Sequence, residues 1–425
     1  MSPGRARAAS MADIEVWLDW QGHCRPVGIM RRHAARGGER VTFSYHDEWI
    51  SAPRGYAIDP SLPLGAGTFS PPPGHAMFGA MADAAPDSWG RTLMRRQERR
   101  NAEHDGRTVR TLQESDFLLG VSDHARLGAL RFRHVGGDLF LAPPERATPG
   151  LVALGRLRAA AERVLQGMDT DEDLLAILAP GSSLGGARPK ASVVDQFGTL
   201  SVAKLPKDTD EYSVERWEAI ALDLAQTAGI RAAGHDIHDD RGRPIFVSRR
   251  FDRTAGQRLP FMSAMAMTGR RDGERGSYLE LVDVLTTHGA NAAADRSELF
   301  RRVAFSVLVS NTDDHLRNHG FLRLDHRGWS LSPAYDINPT PQDIGPRILT
   351  TNIDFDDGTC SIELLRSVAE EFCLKLADAD LLIRDVARVT CAWRDAARRR
   401  GAPEPEIRRM ASAFEHADLD TALAL

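Results

Sequence analysis

Asn311-Thr312-Asp313-Asp314-His315-Leu316-Arg317-Asn318, followed by Ser332-Pro333-Ala334-Tyr335-Asp336, is the stretch on which the reading of this chain turns. An aspartate and an asparagine stand five positions apart. A second aspartate comes later, after a strand pair expected near Phe321 and Trp329. Phosphoryl transfer from ATP asks for these groups. One carboxylate takes the proton of the attacking hydroxyl, while an amide and a second carboxylate offer magnesium the oxygen ligands it prefers. On this reading Asp313 is the catalytic base, and Asn318 and Asp336 hold the metal.

Upstream lie the residues suited to a nucleotide. The expected strand Thr199–Lys204 ends in a lysine that would neutralise the α- and β-phosphates. A helix expected from Val214 to Ala228 carries Glu218, in position to pair with Lys204. Between a short helix around Leu174 and a strand Ala191–Asp195 lies a loop, Gly181 to Lys190. Its glycines let backbone N–H groups approach phosphates. Pro244–Ser248 reads as another strand, and beyond Phe251 the chain turns mainly helical. Each feature alone has an ordinary alternative. Gly185-Gly186 fits a plain turn, Lys204 a solvated strand end, Asp313-Asp314 an exposed cap, Glu218 a surface ion pair and Asp336 a turn. Their order along the chain favours phosphotransfer.

The 425 residues are too many for one compact core and point to two or three domains. A net charge of -5 argues against a dedicated nucleic-acid binder. The cysteines, Cys24, Cys360, Cys373 and Cys391, form no CxxC pair and fit reduced thiols in a cytoplasm. No apolar run approaches the ~20 residues of a membrane helix. The opening MSPGRARAAS lacks the apolar stretch of a signal peptide and reads as a disordered tail, residues 1–10. Strands are expected at Ile14–Leu18 and Val41–Tyr45, and loop from Pro60 to Gly79. Ala85 to Arg91 opens a helix with Pro86 and Asp87 in its first turn. Arg91, Arg95, Arg96, Arg99 and Arg100 give that helix a basic face, either solvated or turned towards DNA phosphates or an acidic partner. Leu127–Arg133 and Asp138–Ala142 read as a closing hairpin, and a helix should run from Leu151 to Leu165.

Taken together, Pro86-Asp-Ser-Trp-Gly-Arg91, Arg126-Leu-Gly-Ala-Leu130, Ser182-Ser-Leu-Gly-Gly-Ala-Arg-Pro-Lys190, Val202-Ala-Lys-Leu-Pro206, Arg250-Phe-Asp-Arg253, Asn311 to Asn318 and Ala334-Tyr-Asp-Ile337 resemble the HipA-like serine/threonine kinases, the toxin halves of bacterial toxin–antitoxin pairs. The resemblance implies an α+β, two-lobed protein-kinase-like fold with an N-terminal β-rich subdomain and a mainly helical C-lobe. It implies these bounds: subdomain 11–142, kinase N-lobe 150–250, C-lobe 251–425. It implies ATP and Mg²⁺, a helix-turn-helix antitoxin through which alone DNA is met, and a protein substrate such as an aminoacyl-tRNA synthetase. By position it gives Leu184, Gly185, Gly186, Ala187, Arg188, Pro189 and Lys190 to the phosphate loop and Lys204 to the ATP lysine. It gives Arg249, Arg250 and Phe251 to the adenine hinge, and adds His315, Asn318, Tyr335 and Asp336 to the nucleotide site. Ser183 matches an autophosphorylated serine.

The sequence departs from the family at two places. Arg249 stands where a glutamate is frequent, and Arg188-Pro189 replace a glutamine and its follower, so Pro189 removes one N–H from the cradle. Two rival readings, a small-molecule phosphotransferase and an idle antitoxin-binding co-repressor, are opposed by the Pro86–Arg91 string and by the intact Lys204, Asp313, Asn318 and Asp336, respectively.

Overall fold

The computed structural model describes residues 13–35, 37–141, 148–178 and 186–425. The tail 1–10 and Leu184, Gly185 and Ser183 lie outside the described residues. Strand β1 (Ile14–Trp20) buries alternate residues, with Ile14, Val16, Leu18 and Trp20 facing the core. It is flanked by β2 (His23–Ala35) and by β4 (Leu130–His134), and β3 (Gly38–Tyr45) completes an antiparallel sheet of order β3-β2-β1-β4. β2 was not anticipated from the sequence: Pro26 and a run of exposed polar residues break its apolar alternation. Pairing to β1 over a bulge at Val16/Trp17 is what holds it extended.

Helix α1 (Ser88–His104) follows the long loop. Asp87 is its N-cap rather than a first-turn residue, accepting a 2.8 Å hydrogen bond from the Gly90 N–H. After a single 3₁₀ turn at Leu151–Ala153 come α2 (Leu154–Gln166) and α3 (Asp171–Leu178). A second antiparallel sheet, order β5-β6-β8-β7, is built from β5 (Lys190–Val194), β6 (Leu200–Lys204), β7 (His235–Asp240) and β8 (Arg243–Arg249). β7 too was missed, because its sequence HDIHDD is polar; it is an edge strand paired to β8 alone. Helix α4 (Val214–Thr227) connects β6 to β7.

One apolar cluster joins α2 and α3 to the inner face of this sheet through Leu157, Val164, Ile177, Val193 and Val247, and it includes Trp89 and Leu93 of α1. The N-terminal part therefore contributes to the core beneath the sheet that carries Lys204. The remainder is mainly helical, with α5 (Tyr278–His288), α6 (Ala292–Leu308) and α7 (Leu376–Thr390) around a small sheet of β9 (Phe261–Ser263), β10 (Gly320–Asp325) and β11 (Gly328–Leu331). The architecture is the expected α+β, two-lobed one. Among the described residues no helix is long and apolar enough to cross a membrane.

Candidate active site

The loop between α6 and β10 carries Asp313, Asp314 and Asn318. It is held from both sides: the Asn311 N–H reaches back to Ser306 O, and Ser310, at φ 53°, donates its hydroxyl to Ala413 O at 2.8 Å. Asp314 is buried, and its carboxylate is fully engaged. Tyr278 and Ser306 donate to it at 2.5 and 3.1 Å, and the His319 ring lies 3.0 Å away. Burial works against its charge, but His319, Tyr278 and Ser306 outweigh burial and hold the carboxyl below its ordinary range. Asp313 is exposed. Partial burial lifts its carboxyl above the usual value, opposed by His315 and reinforced by Asp336 and Asp314. Of the twin aspartates, Asp313 alone is open to solvent.

Asn318 ends a 3₁₀ turn and donates its amide to Asp313 O at 3.1 Å. Its side-chain oxygen is buried and finds no hydrogen-bond partner among the described residues. An orphaned, hard oxygen beside carboxylates is the kind of donor a magnesium ion takes. Asp336 sits at φ 59°, a left-handed conformation that costs a non-glycine residue about 1–3 kcal/mol and persists only where surroundings enforce it. The enforcement is visible: Tyr335 donates to Arg317 O at 2.6 Å, the Asn338 N–H to Asn311 Oδ1 at 2.8 Å, and Asn338 Nδ2 to Asp336 Oδ1 at 2.9 Å.

Lys204 ends β6 and bridges the lobes. Its ammonium donates to both oxygens of Glu218 at 2.8 Å and to Asp336 Oδ1 at 2.5 Å. Burial disfavours the charge on Lys204, yet the two carboxylates overcome it and hold the lysine above its ordinary range. The carboxylates share one ammonium unequally. Despite burial, Asp336 is pulled below the ordinary range, mainly by Lys204, whereas burial and Asp336's charge push Glu218 up to about 7. With Asp313 nearby the cluster is net negative, which suits a cation. Helix α4 fixes Glu218 because Ser213 caps it and the neighbouring Trp217 is locked into the C-lobe, donating to Glu406 at 3.0 Å beside Trp393 and Phe414.

The described end of the expected phosphate loop, Gly186 to Lys190, approaches this cluster from the N-lobe. Gly186 has φ 102°, and a side chain there would meet Lys190 Nζ at 3.2 Å. The Arg188 guanidinium is a brace, donating to Asp210 and Glu215 at 2.9 and 2.7 Å. Lys190 is buried and pairs with Asp87 at 2.8 Å. At the hinge, the Arg249 and Arg250 N–H groups bond to Gly234 O and Leu200 O. The Arg250 side chain belongs to a buried lock: with Arg253 it grips Asp252 and donates to Ala125 O and Arg126 O of the N-terminal part. Phe251 packs on the Tyr335 ring at 5.3 Å. His315 keeps Nδ1 buried and unpartnered at the wall of a cleft of about 540 Å³ that Asp87, Ser88 and Gly186 also line. Sequence reasoning missed Asp87, Asn338 and Asp252 as parts of this machinery. All three lay within or beside strings already singled out, but their partners are 27 to 124 residues away.

Residues 14–131 match the HipA N-terminal domain and residues 182–393 the HipA-like C-terminal domain. The chain belongs to the HipA-like family. It is 23% identical to a Sinorhizobium fredii protein named "Putative kinase Y4mE", over 88% of this chain and 94% of that one. It is 24% identical to a Haemophilus influenzae protein named "Putative kinase", where the match covers 38% of this chain and only about half, 54%, of the relative. Among solved structures, HipA from the Shewanella oneidensis MR-1 toxin–antitoxin complex of HipA, HipB and operator DNA superposes with a TM-score of 0.67 at 17% identity, over 97% of this chain and 96% of that one. That likeness is one of fold.

Proposed function

We propose that this HipA-like protein is an ATP- and Mg²⁺-dependent kinase that phosphorylates serine or threonine on a protein. The carrying observation is the Lys204–Glu218–Asp336 bridge facing an exposed Asp313 and a buried, unpartnered Asn318 oxygen. In this reading Asp313 accepts the hydroxyl proton of the acceptor, and its raised carboxyl makes it a better base than an ordinary aspartate. Asn318 and Asp336 hold the metal, Lys204 steadies the α- and β-phosphates, and Gly186 to Lys190 close over the phosphate chain. The metal, when bound, neutralises charge that develops on the transferred phosphoryl group.

The solved Shewanella oneidensis complex of HipA with HipB and operator DNA supports an antitoxin partner through which DNA is reached. The family resemblance of the sequence adds that the antitoxin is a helix-turn-helix protein, the substrate translation-related, such as an aminoacyl-tRNA synthetase, and the setting the cytoplasm. Transfer of labelled phosphate from Mg·ATP, to the protein itself or to proteins of a cell extract, tests the proposal. Wild type should transfer, and Asp313→Asn should bind Mg·ATP nearly normally yet transfer at least about 100-fold more slowly. Full transfer by Asp313→Asn would refute the assignment.

A further inference from the structure

The Pro86–Arg91 string does more than start a helix. Asp87 and Lys190 form an ion pair at 2.8 Å, with side chains only 3% and 2% exposed, between the N-terminal part and the first residue of β5. Two more bonds cross at the same place: Ser88 Oγ donates to Gly186 O at 3.0 Å and Trp89 Nε1 to Lys190 O at 3.1 Å. Trp89 and Leu93 continue into the core beneath the nucleotide-side sheet. Lys190 also donates to Gly186 O at 3.3 Å, drawing the loop's end into a tight turn, and its charge is felt at Asp336. The described end of the phosphate loop is thus tied down by a different part of the molecule from the one whose sheet it precedes.

We propose that Asp87 is a positioning residue of the nucleotide site. Through Lys190 it straps the phosphate loop to α1, so that the N-terminal part sets ATP affinity. This rests on the kinase reading above. Breaking one partner of a buried pair leaves the other charge uncompensated, so the strap fails as a unit. It also runs along the 540 Å³ cleft lined by Ser88, Arg91, His315 and Arg317, so whatever occupies that cleft touches strap and catalytic loop together.

Asp87 has a second duty as N-cap, and the test must separate the two. Asp87→Asn and Asp87→Ser both keep a good cap but lose the charge that holds Lys190. We expect each to raise the Kd and KM for Mg·ATP at least tenfold, with kcat falling less than threefold. Amide exchange should quicken over residues 186–190 while α4 stays protected. Arg100→Ala is the control. It loosens the same helix from Asp169 and Asp171 and should lower Tm without moving ATP affinity. Unchanged exchange and unchanged ATP affinity in both Asp87 variants would overturn the strap. So would an Arg100→Ala variant that loses ATP as severely, because the effect would then be general loosening. If wild type itself binds no Mg·ATP, the kinase reading falls, and the exchange experiment still decides the strap.

Discussion

Asp313 and Asp314 are neighbours in the chain and opposite in environment. Asp314 is buried with three donors or cations on its carboxylate, while Asp313 is exposed. Their asparagine variants should separate accordingly. Asp313→Asn should leave Tm within a degree or two while abolishing transfer. Asp314→Asn should cost about 3 kcal/mol of stability, because His319 and Tyr278 lose a buried ionic partner. Thermal melts beside a phosphotransfer assay check both, and equal Tm losses would contradict the division of roles. Asp336→Ala differs from either. It removes the carboxylate that Lys204 and Asn338 hold in place, so calorimetry should find Mg·ATP binding itself weakened at least about tenfold, as expected for a lost charged ligand.

At the scale of elements, α1 shows how a charge pattern misleads. Five arginines along it read as one basic face, but Arg96 and Arg100 are tied to Asp169 and Asp171, and Arg91 is clamped by Glu114. Only Arg95 and Arg99 are exposed, and Arg95 leans over the Phe117 ring. If this face meets DNA phosphates in a repressor complex, Arg95→Ala with Arg99→Ala should weaken operator binding and reduce the salt slope by about 1–2. An unchanged slope in a salt titration would confine the helix to a structural role. Gly186 is the other element-scale case. Its positive φ strains any side chain, and a methyl group there would crowd the Lys190 ammonium at 3.2 Å. Gly186→Ala should therefore disturb the loop and lower ATP affinity, read by calorimetry, with little change in Tm.

For the whole molecule, the Arg250–Asp252–Arg253 lock ties the kinase body to the N-terminal part: Gly128 N donates to Asp252 at 2.8 Å, and Arg250 and Arg253 reach Ala125 O and Arg126 O. Burial alone would raise the Asp252 carboxyl, but the two guanidiniums hold it at about 2. A carboxyl depressed in the folded state binds fewer protons there than in the unfolded chain. Its stabilisation is therefore complete above about pH 4 and is lost as pH falls from 4 towards 2. Asp252→Asn should remove that acid-dependent share and, at pH 7, destabilise by about 3–5 kcal/mol, since buried Arg250 and half-buried Arg253 lose their counter-charge. Denaturant unfolding across this pH range tests it; parallel stability curves for wild type and variant would show that the lock carries no linkage.

The order of the candidate site residues was legible in the sequence because it depends on short spacings. Asp313 to Asn318 spans a single loop, and Lys204 and Glu218 sit on adjacent elements whose periodicity is legible. The alternating β1 and the apolar face of α2 likewise announce themselves. What only the tertiary structure decided are pairings across long separations: Lys190 with Asp87, Asn338 with Asn311, Asp252 with Gly128, and the polar strands β2 and β7, which are extended because of the neighbours they pair with. The five-position spacing to Asn318 singles out Asp313 of the two adjacent aspartates; what the fold adds is that Asp314 is buried among its own partners while Asp313 is exposed. A carboxylate's role is set by the groups around it, and a sequence states neighbours along the chain without stating neighbours in space.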